Sequence, residues 1–549
     1  MKNGFHILPA SRACRNFLAC LHYFTTCMAA PAGAAPPAPA APVLEHQEFD
    51  AMLEAAFPSP APGRNRAFIV HFTLPGPHPV HQVDWRLGLY RPDGSLLRQW
   101  HGRHAMYREN SMLKINWQAA STLPTGIYEL RLEAGGIRQQ RPIAIGRPSL
   151  LFAASATAML PRHGPGWTSR PRLDTLGFDI VVGDLHSQTN HSDGGGDPAH
   201  CHGAQPPQSG AFGPEDAFQF ARRHGLDFLM ASEHNHMYDG SDGSDPAADP
   251  QAARERYRLG LASAEQFSAR HPGFVALYGM EWGVISGGGH LNIFNSPALL
   301  GWERSSSGEP FADVVTPKSD YAALYTLMKE QGWLGQFNHP NTSQFAINGA
   351  PLAFSADGAA VMALCEVMNS NAFSNRLDER ETRHSFYEEA CGKLLEAGYR
   401  LAFSSDQDNH CANWGASYGN RTGILLPAGT APTREALLDA IRARRVFATM
   451  DKHSAIALTA NGAMMGAERD NSGPLTLRVH FNSSAGRGIA ALDIMQGVPG
   501  RHGAVQPLPG GGALQQTFTP EPGAHFYYAR VTQDDGKQLW SAPVWINQR

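Results

Sequence analysis

The chain has 549 residues, 42% of them apolar, with 45 basic against 49 acidic residues and a formal charge of −4. That length fits three or four domains, and a near-balanced charge without a basic stripe argues against nucleic acid as a partner. The 25 histidines are unevenly spread: His186, His191, His200, His202, His224, His234 and His236 share one short window, where an even spread would place about two.

Residues 1–35 read as a secretory signal peptide. Lys2, Arg12 and Arg15 form a positive start, the stretch from Phe17 to Ala30 is mostly apolar but too short to span a bilayer, and small residues follow. Residues 36–45 are rich in Ala and Pro and read as a linker. The expected location is periplasmic or secreted, with no integral membrane segment after cleavage. Three of the seven cysteines fall in this leader. The other four, Cys201, Cys365, Cys391 and Cys411, have no CxxC spacing. They either form two disulfides in an oxidising compartment or remain buried thiols. Cys201 with Cys411 is the first pairing to expect, since each follows a histidine-rich loop.

Residues 46–150 alternate apolar and polar positions ("RAFIVHFTLPG", "GIYELRLEAGG") around turn signals such as Pro92-Asp93-Gly94, which predicts an N-terminal β-sandwich. Residues 451–549 ("SAIALTA", "PLTLRVHF", "FYYARVTQ") predict a second, C-terminal one. The middle differs. "GPEDAFQFARRHG" places Pro214 at a helix start, Glu215 and Asp216 in the first turn and Gly225 at the end. The apolar run "LDFLMAS" follows, and then Glu233-His234. The pattern returns before Glu281, His339, Glu366 and Asp406. Parallel barrels carry their chemistry at strand C-termini. Residues 175–450 are therefore expected to form an α/β barrel with one shared site.

The ligand-type residues at these ends are His186, Asp193, His234, Glu281, His290, His339, Asp406 and His410. Imidazoles and carboxylates suit divalent cations, and two-metal hydrolytic sites hold ions about 3.5–4 Å apart. The opening stretch, "GDLHSQTNHSDGGG", is one such strand end, with glycines that let the chain bend. Other chemistries lack their motifs: no GxSxG surrounds Ser286, and no GxxxxGK[ST] occurs.

The ordered set "DLHSQTNHSDG", "SEHN", "GMEW", "NHP" and "SSDQDNH" resembles the PHP (polymerase and histidinol phosphatase) metallohydrolases. "GGGHLNIF" and "AIRARRVFAT" are closer to the CehA/McbA-like branch. The resemblance covers about half of the chain, roughly 180–450. It implies an α/β fold, a distorted (β/α)7 PHP-type barrel between the two sandwiches, holding two or three Mn, Zn or Fe ions. It implies His186, Asp193, His234, Glu281 (bridging), His290, His339 and Asp406 as ligands. Gln188 stands where the family has His, so one ion site is weakened, missing, or completed by His191. Asp408 stands where the late histidine is usual; His410 is the favoured ligand there, with Asp408 supporting it.

The expected activity is hydrolysis of a small-molecule ester by a metal-bridged hydroxide, on phosphoesters first. Carbamate or carboxyl-ester hydrolysis is one alternative and a non-catalytic binding protein with a degenerate metal site another. Asp406 is expected to orient the nucleophile, His236 or His191 to protonate the leaving group, and Arg421 or Arg445 to clamp an anionic group. Glu233, Glu366 and Asn369 are expected to fix imidazole tautomers. Residues 198–213, rich in Gly, Pro and Gln, are expected to form a loop over the site.

Overall fold

The computed structural model describes residues 49–57, 65–74, 78–118, 122–152, 171–173, 176–341, 346, 347, 350, 351 and 354–549. The expected leader over 1–35 and linker over 36–45 lie outside these residues. Strand outweighs helix along the described chain.

In the N-terminal region, Asp50–Ala55, Asn65–Thr73 and Asn110–Gln118 form one antiparallel sheet. His81–Tyr90, Leu96–Met106, Gly126–Ala134 and Ile137–Ile145 form another. Alternation along each strand sends Phe68, Val70, Phe72, Leu87, Leu89, Tyr128, Leu130 and Ile143 into one shared core. The turn at Pro92-Asp93-Gly94 closes with Gly94 N–H donating to Arg91 O at 2.9 Å. Gln139 leaves this region to accept the Phe386 N–H at 2.7 Å.

The central region alternates strand and helix. Its elements are β1 (Phe178–Asp184), α1 (Pro214–Arg223), β2 (Phe228–His234), α2 (Pro250–Arg270), β3 (Val275–Trp282), β4 (Leu291–Ile293), α3 (Tyr321–Gln331) and β5 (Gly335–Phe337). There follow α4 (Ala356–Val361), β6 (Met362–Ser370), α5 (Glu388–Ala397), β7 (Ala402–Asp406), β8 (Arg421–Pro427), α6 (Arg434–Arg442) and β9 (Val446–Thr449). Helix α1 shows why the local pattern works. The Asp216 carboxylate accepts the Gly213 N–H at 3.0 Å at the start, Ala217, Phe218 and Ala221 are buried, and Gly225 (φ +81°) releases the chain into β2.

The strands do not close into the expected (β/α)7 barrel, and that expectation is corrected here. β1–β2–β3 run parallel, but β4 lies antiparallel between β3 and β5. β5–β6–β7 run parallel again, and among the described residues the β7 ladder pairs with β6 alone. On the other side β8 is antiparallel to β1, and the sheet continues through β9 to Gln538–Ser541, Gly523–Gln533 and Ile489–Gly497. One mixed sheet of 16 strands therefore joins the central and C-terminal regions. A four-stranded sheet containing Ser454–Ala460 and Leu475–Ser483 packs on its far end through Ile456, Leu458, Leu477, Ile494 and Val531. The architecture is sheet-dominated and sandwich-like at both ends. Apolar runs ending in polar residues mark strand ends whatever direction the neighbours run, so the pattern left closure undetermined.

Two disulfides are present, Cys201–Cys411 and Cys365–Cys391. Such bonds belong to oxidising compartments. Among the described residues, no helix is long and apolar enough to cross a membrane.

Candidate metal centre

Register builds the site. His234 at the end of β2 stands level with Glu281 of β3, Glu281 with Asn292 of β4, and Asn292 with Gln336 of β5. One row across four strands thus carries an imidazole, a carboxylate and two amides. The strand-end loops add His186 and Asp193 after β1, His290 before β4, His339 after β5, and Asp408 and His410 after β7.

These side chains converge in three groups: His186–Glu281–His339, His234–Glu281–His290 and Asp193–His234–His410. Within each, one ligand atom per residue lies within 4.8 Å of the others. Glu281 is the hub. Its Oε2 lies 3.0 Å from His186 Nε2 and 3.4 Å from His234 Nδ1, and its Oε1 lies 3.0 Å from His290 Nδ1 and 3.2 Å from His339 Nε2. Burial would raise its pKa, but His186, His290 and His234 outweigh that and hold the carboxyl well below its ordinary range. Burial opposes charge on His186, yet Asp408, Glu281 and Glu366 raise its pKa well above the usual value.

The first loop is shaped for close packing. Gly195 has φ +70°, and a Cβ there would meet Phe212 O at 2.1 Å; a Cβ on Gly194 would meet the Gln188 backbone at 2.4 Å. His339 (φ +28°) and Asp408 (φ +50°) also hold left-handed conformations without being glycine, at a cost of about 1–3 kcal/mol each. Each is also 7% exposed, whereas Glu281, His186, His234 and His290 are at 1% or less. His339 and Asp408 are thus the least buried members of the cluster.

Several expected site residues take other roles. Gln188 is in the cluster as a donor: its Nε2–H donates to Glu281 Oε2 at 2.8 Å. Asp406 belongs to none of the three groups. Its Oδ1 accepts from Leu185 N–H (2.9 Å) and Thr422 Oγ1–H (2.8 Å), and its Oδ2 from Gln336 Nε2–H (3.1 Å), bonds that brace the strand ends. His191 Nδ1 lies 2.6 Å from the Tyr278 hydroxyl, and burial followed by Arg256 pushes its pKa down to about 3, too low for a proton donor near neutrality. His236 pairs with Asp242 at 3.4 Å and stacks on Trp302, with its ring centre 5.7 Å from that of His234. Arg421 is buried and donates to the carbonyls of Tyr418, Asn420 and Gly415, which leaves no fork for an anionic substrate. Arg445 Nε–H donates to Leu425 O at 3.4 Å, and its guanidinium lies over Phe178. Glu233 accepts from Thr189 and Ser192 and so holds the first loop rather than an imidazole. Glu366 does face an imidazole, 3.4 Å from His186 Nδ1, and also accepts the His339 N–H.

His410 and Asp408 both join the cluster, His410 Nε2 3.4 Å from Asp193 and Asp408 Oδ1 3.2 Å from His186 Nε2. Sequence reasoning missed Asn338, whose Nδ2–H donates to Glu281 Oε1 at 2.8 Å. The "NHP" motif contained it, but only the neighbouring histidine drew attention.

No family model matches the chain, and no curated protein matches it. Solved structures that align include a Parabacteroides merdae β-glucuronidase with glycerol in its active site (9% identity, TM-score 0.16, 91% of this chain and 64% of that one). A putative β-galactosidase from Bacteroides fragilis aligns at 10% identity and TM-score 0.15, over 90% of this chain and 73% of that one. A glycosyl hydrolase family 2 member from Bacteroides cellulosilyticus aligns at 9% and 0.16, over 88% and 77%. The chain thus spans just under two thirds of the length of the first of these. None of these alignments bears on the metallohydrolase family that the motifs resemble, and at such TM-scores no substrate can be taken from them. The expected phosphoester hydrolase is nevertheless corrected in its anion recognition. The arginines meant to clamp an anion are committed to backbone carbonyls or to an aromatic ring.

Proposed function

We propose that the chain is a hydrolytic enzyme whose buried histidine–carboxylate cluster holds divalent cations, working in the periplasm or outside the cell. The observation that carries this reading is the sharing of Glu281 between two ligand groups and of His234 between two. The donor set of imidazole nitrogens and carboxylate oxygens, without thiolates, suits Zn, Mn or Fe. His186, Glu281 and His339 would hold one ion and His234, Glu281 and His290 a second; Asp193, His234 and His410 would hold a third only with the His234 ring deprotonated, since a neutral imidazole has one free lone pair. A bound divalent cation supplies Lewis acidity and draws the pKa of a water from about 15.7 towards 7.

The chain's own residues prepare the site. Gln188 and Asn338 donate to the two oxygens of Glu281 and fix its plane. Glu366 orients the His186 ring and the His339 backbone. Asp408 is among the least buried members of the cluster, and its Oδ1 lies 3.2 Å from His186 Nε2, where a carboxylate can take a proton from an incoming group. The two disulfides support an extracytosolic site of action.

The test is turnover of a panel of nitrophenyl substrates spanning the common hydrolysable bonds, before and after chelation. The reading expects activity lost with EDTA, restored by Mn or Zn, and absent in Glu281→Gln. Turnover that is indifferent to chelation contradicts it.

A further inference from the structure

We infer that the Cys201–Cys411 disulfide is a positioning device for one part of the cation centre, an inference that rests on the cation reading above. The part concerned is Asp193–His234–His410. Of these three, only His234 sits on a strand, at the end of β2. Asp193 and His410 stand on segments 185–196 and 407–412, which contain neither helix nor extended strand. Their side chains nevertheless lie 3.4 Å apart.

Backbone bonds join the two segments: Asp408 N–H to His186 O (2.8 Å), Gln188 N–H to Asn409 O (3.0 Å), Gly196 N–H to His410 O (3.1 Å) and Ala412 N–H to Gly196 O (2.8 Å). A third segment, 197–213, also lacks helix and strand and covers the Asp193 side. Gln205 N–H donates to Asp193 O at 2.7 Å, Gln208 N–H to Ser192 O at 2.6 Å and Phe212 N–H to Gly195 O at 3.1 Å. The disulfide ties this covering segment at Cys201 to Cys411, the residue after His410, across a sequence separation of 210. A closed path then runs from Asp193 through Gln205 and Cys201 to Cys411 and His410. Both cysteines are buried. Holding three irregular segments in one arrangement costs chain entropy, and a covalent tie removes much of that freedom.

The second disulfide provides a contrast. Cys365–Cys391 joins β6 to α5, two regular elements. Cys365 precedes Glu366, yet β6 is paired on both sides at this level, to Phe337 and to Phe403. Strand pairing keeps Glu366 in place without the bond.

The experiment is a Co2+ titration of the full chain, followed by visible absorption, on wild type, Cys201→Ser/Cys411→Ser and Cys365→Ala/Cys391→Ala. Circular dichroism confirms folding. The expected result is at least two ions in wild type, one of them bound about tenfold or more weakly in the first variant and all retained in the second. If the serine pair does not fold, Cys201→Ala/Cys411→Val, which keeps the buried site apolar, replaces it. A folded variant that binds every ion as wild type does overturns the inference, as does an equal loss in both variants. Wild type that binds no Co2+ refutes the cation reading itself, and this inference with it.

Discussion

Replacing Glu281 with Gln should strike both the fold and the centre. Glu281 is fully buried, with four imidazoles within 3.4 Å and amide donors from Gln188 and Asn338 at 2.8 Å each. A glutamine offers one oxygen where the carboxylate offered two, so its NH2 must face one of those amide donors. An unsatisfied buried donor costs about 1–3 kcal/mol. Removing the anion from among charged partners raises the total towards about 3–5 kcal/mol. Urea denaturation in EDTA, at pH 7, measures this term without cations. Because Glu281 belongs to two of the three ligand groups, the variant should also keep only the Asp193–His234–His410 group and hold one ion at most. A loss below about 1 kcal/mol together with an unchanged ion count would refute the reasoning.

Three further outcomes are expected. Asp406→Asn should cost about 1–3 kcal/mol, because it disturbs acceptors for Leu185, Thr422 and Gln336, and should leave the ion count intact; elemental analysis showing a lost ion would restore Asp406 as a ligand. Arg421→Met strands the buried carbonyls of Tyr418, Asn420 and Gly415 and should lower stability by about 2–4 kcal/mol; a raised KM at unchanged stability would contradict that structural role. Burial would raise the pKa of Glu381, but Arg383 and then Ser374 outweigh it and hold it at about 2, below the ordinary 4.5. The folded state therefore favours the ionised form, and this stabilisation is full above pH about 4.5 and is lost as pH falls towards 2. Partial solvation of Arg383 reduces it to about 1–2 kcal/mol, so urea curves of Glu381→Gln and wild type should differ at pH 7 and converge at pH 2.

How far the centre was legible follows from what a single sequence can encode. His186, Asp193, His234, Glu281, His290, His339 and His410 were readable because few other roles gather imidazoles and carboxylates at successive strand ends. The Cys201–Cys411 pairing, expected first, is the one present. Roles that depend on a partner distant in sequence were not readable. The contacts of Asp406 with Leu185, Thr422 and Gln336 are not announced by any spacing in the chain. Arg421 looks like an anion clamp until the carbonyls of its own loop consume its donors. Gln188 looked like a lost ligand, and the structure shows it orienting Glu281. Strand direction was equally hidden. The apolar run before Glu281 reads the same whether the next strand is parallel or, like β4, antiparallel, so a closed barrel was expected where the sheet continues outwards.

The most direct test of the central claim is the cation content of the folded wild-type protein, measured by elemental mass spectrometry after reconstitution with Mn or Zn and removal of free ions. The account predicts at least two ions per chain, held by the groups that share Glu281 and His234. A folded chain that retains none would contradict it.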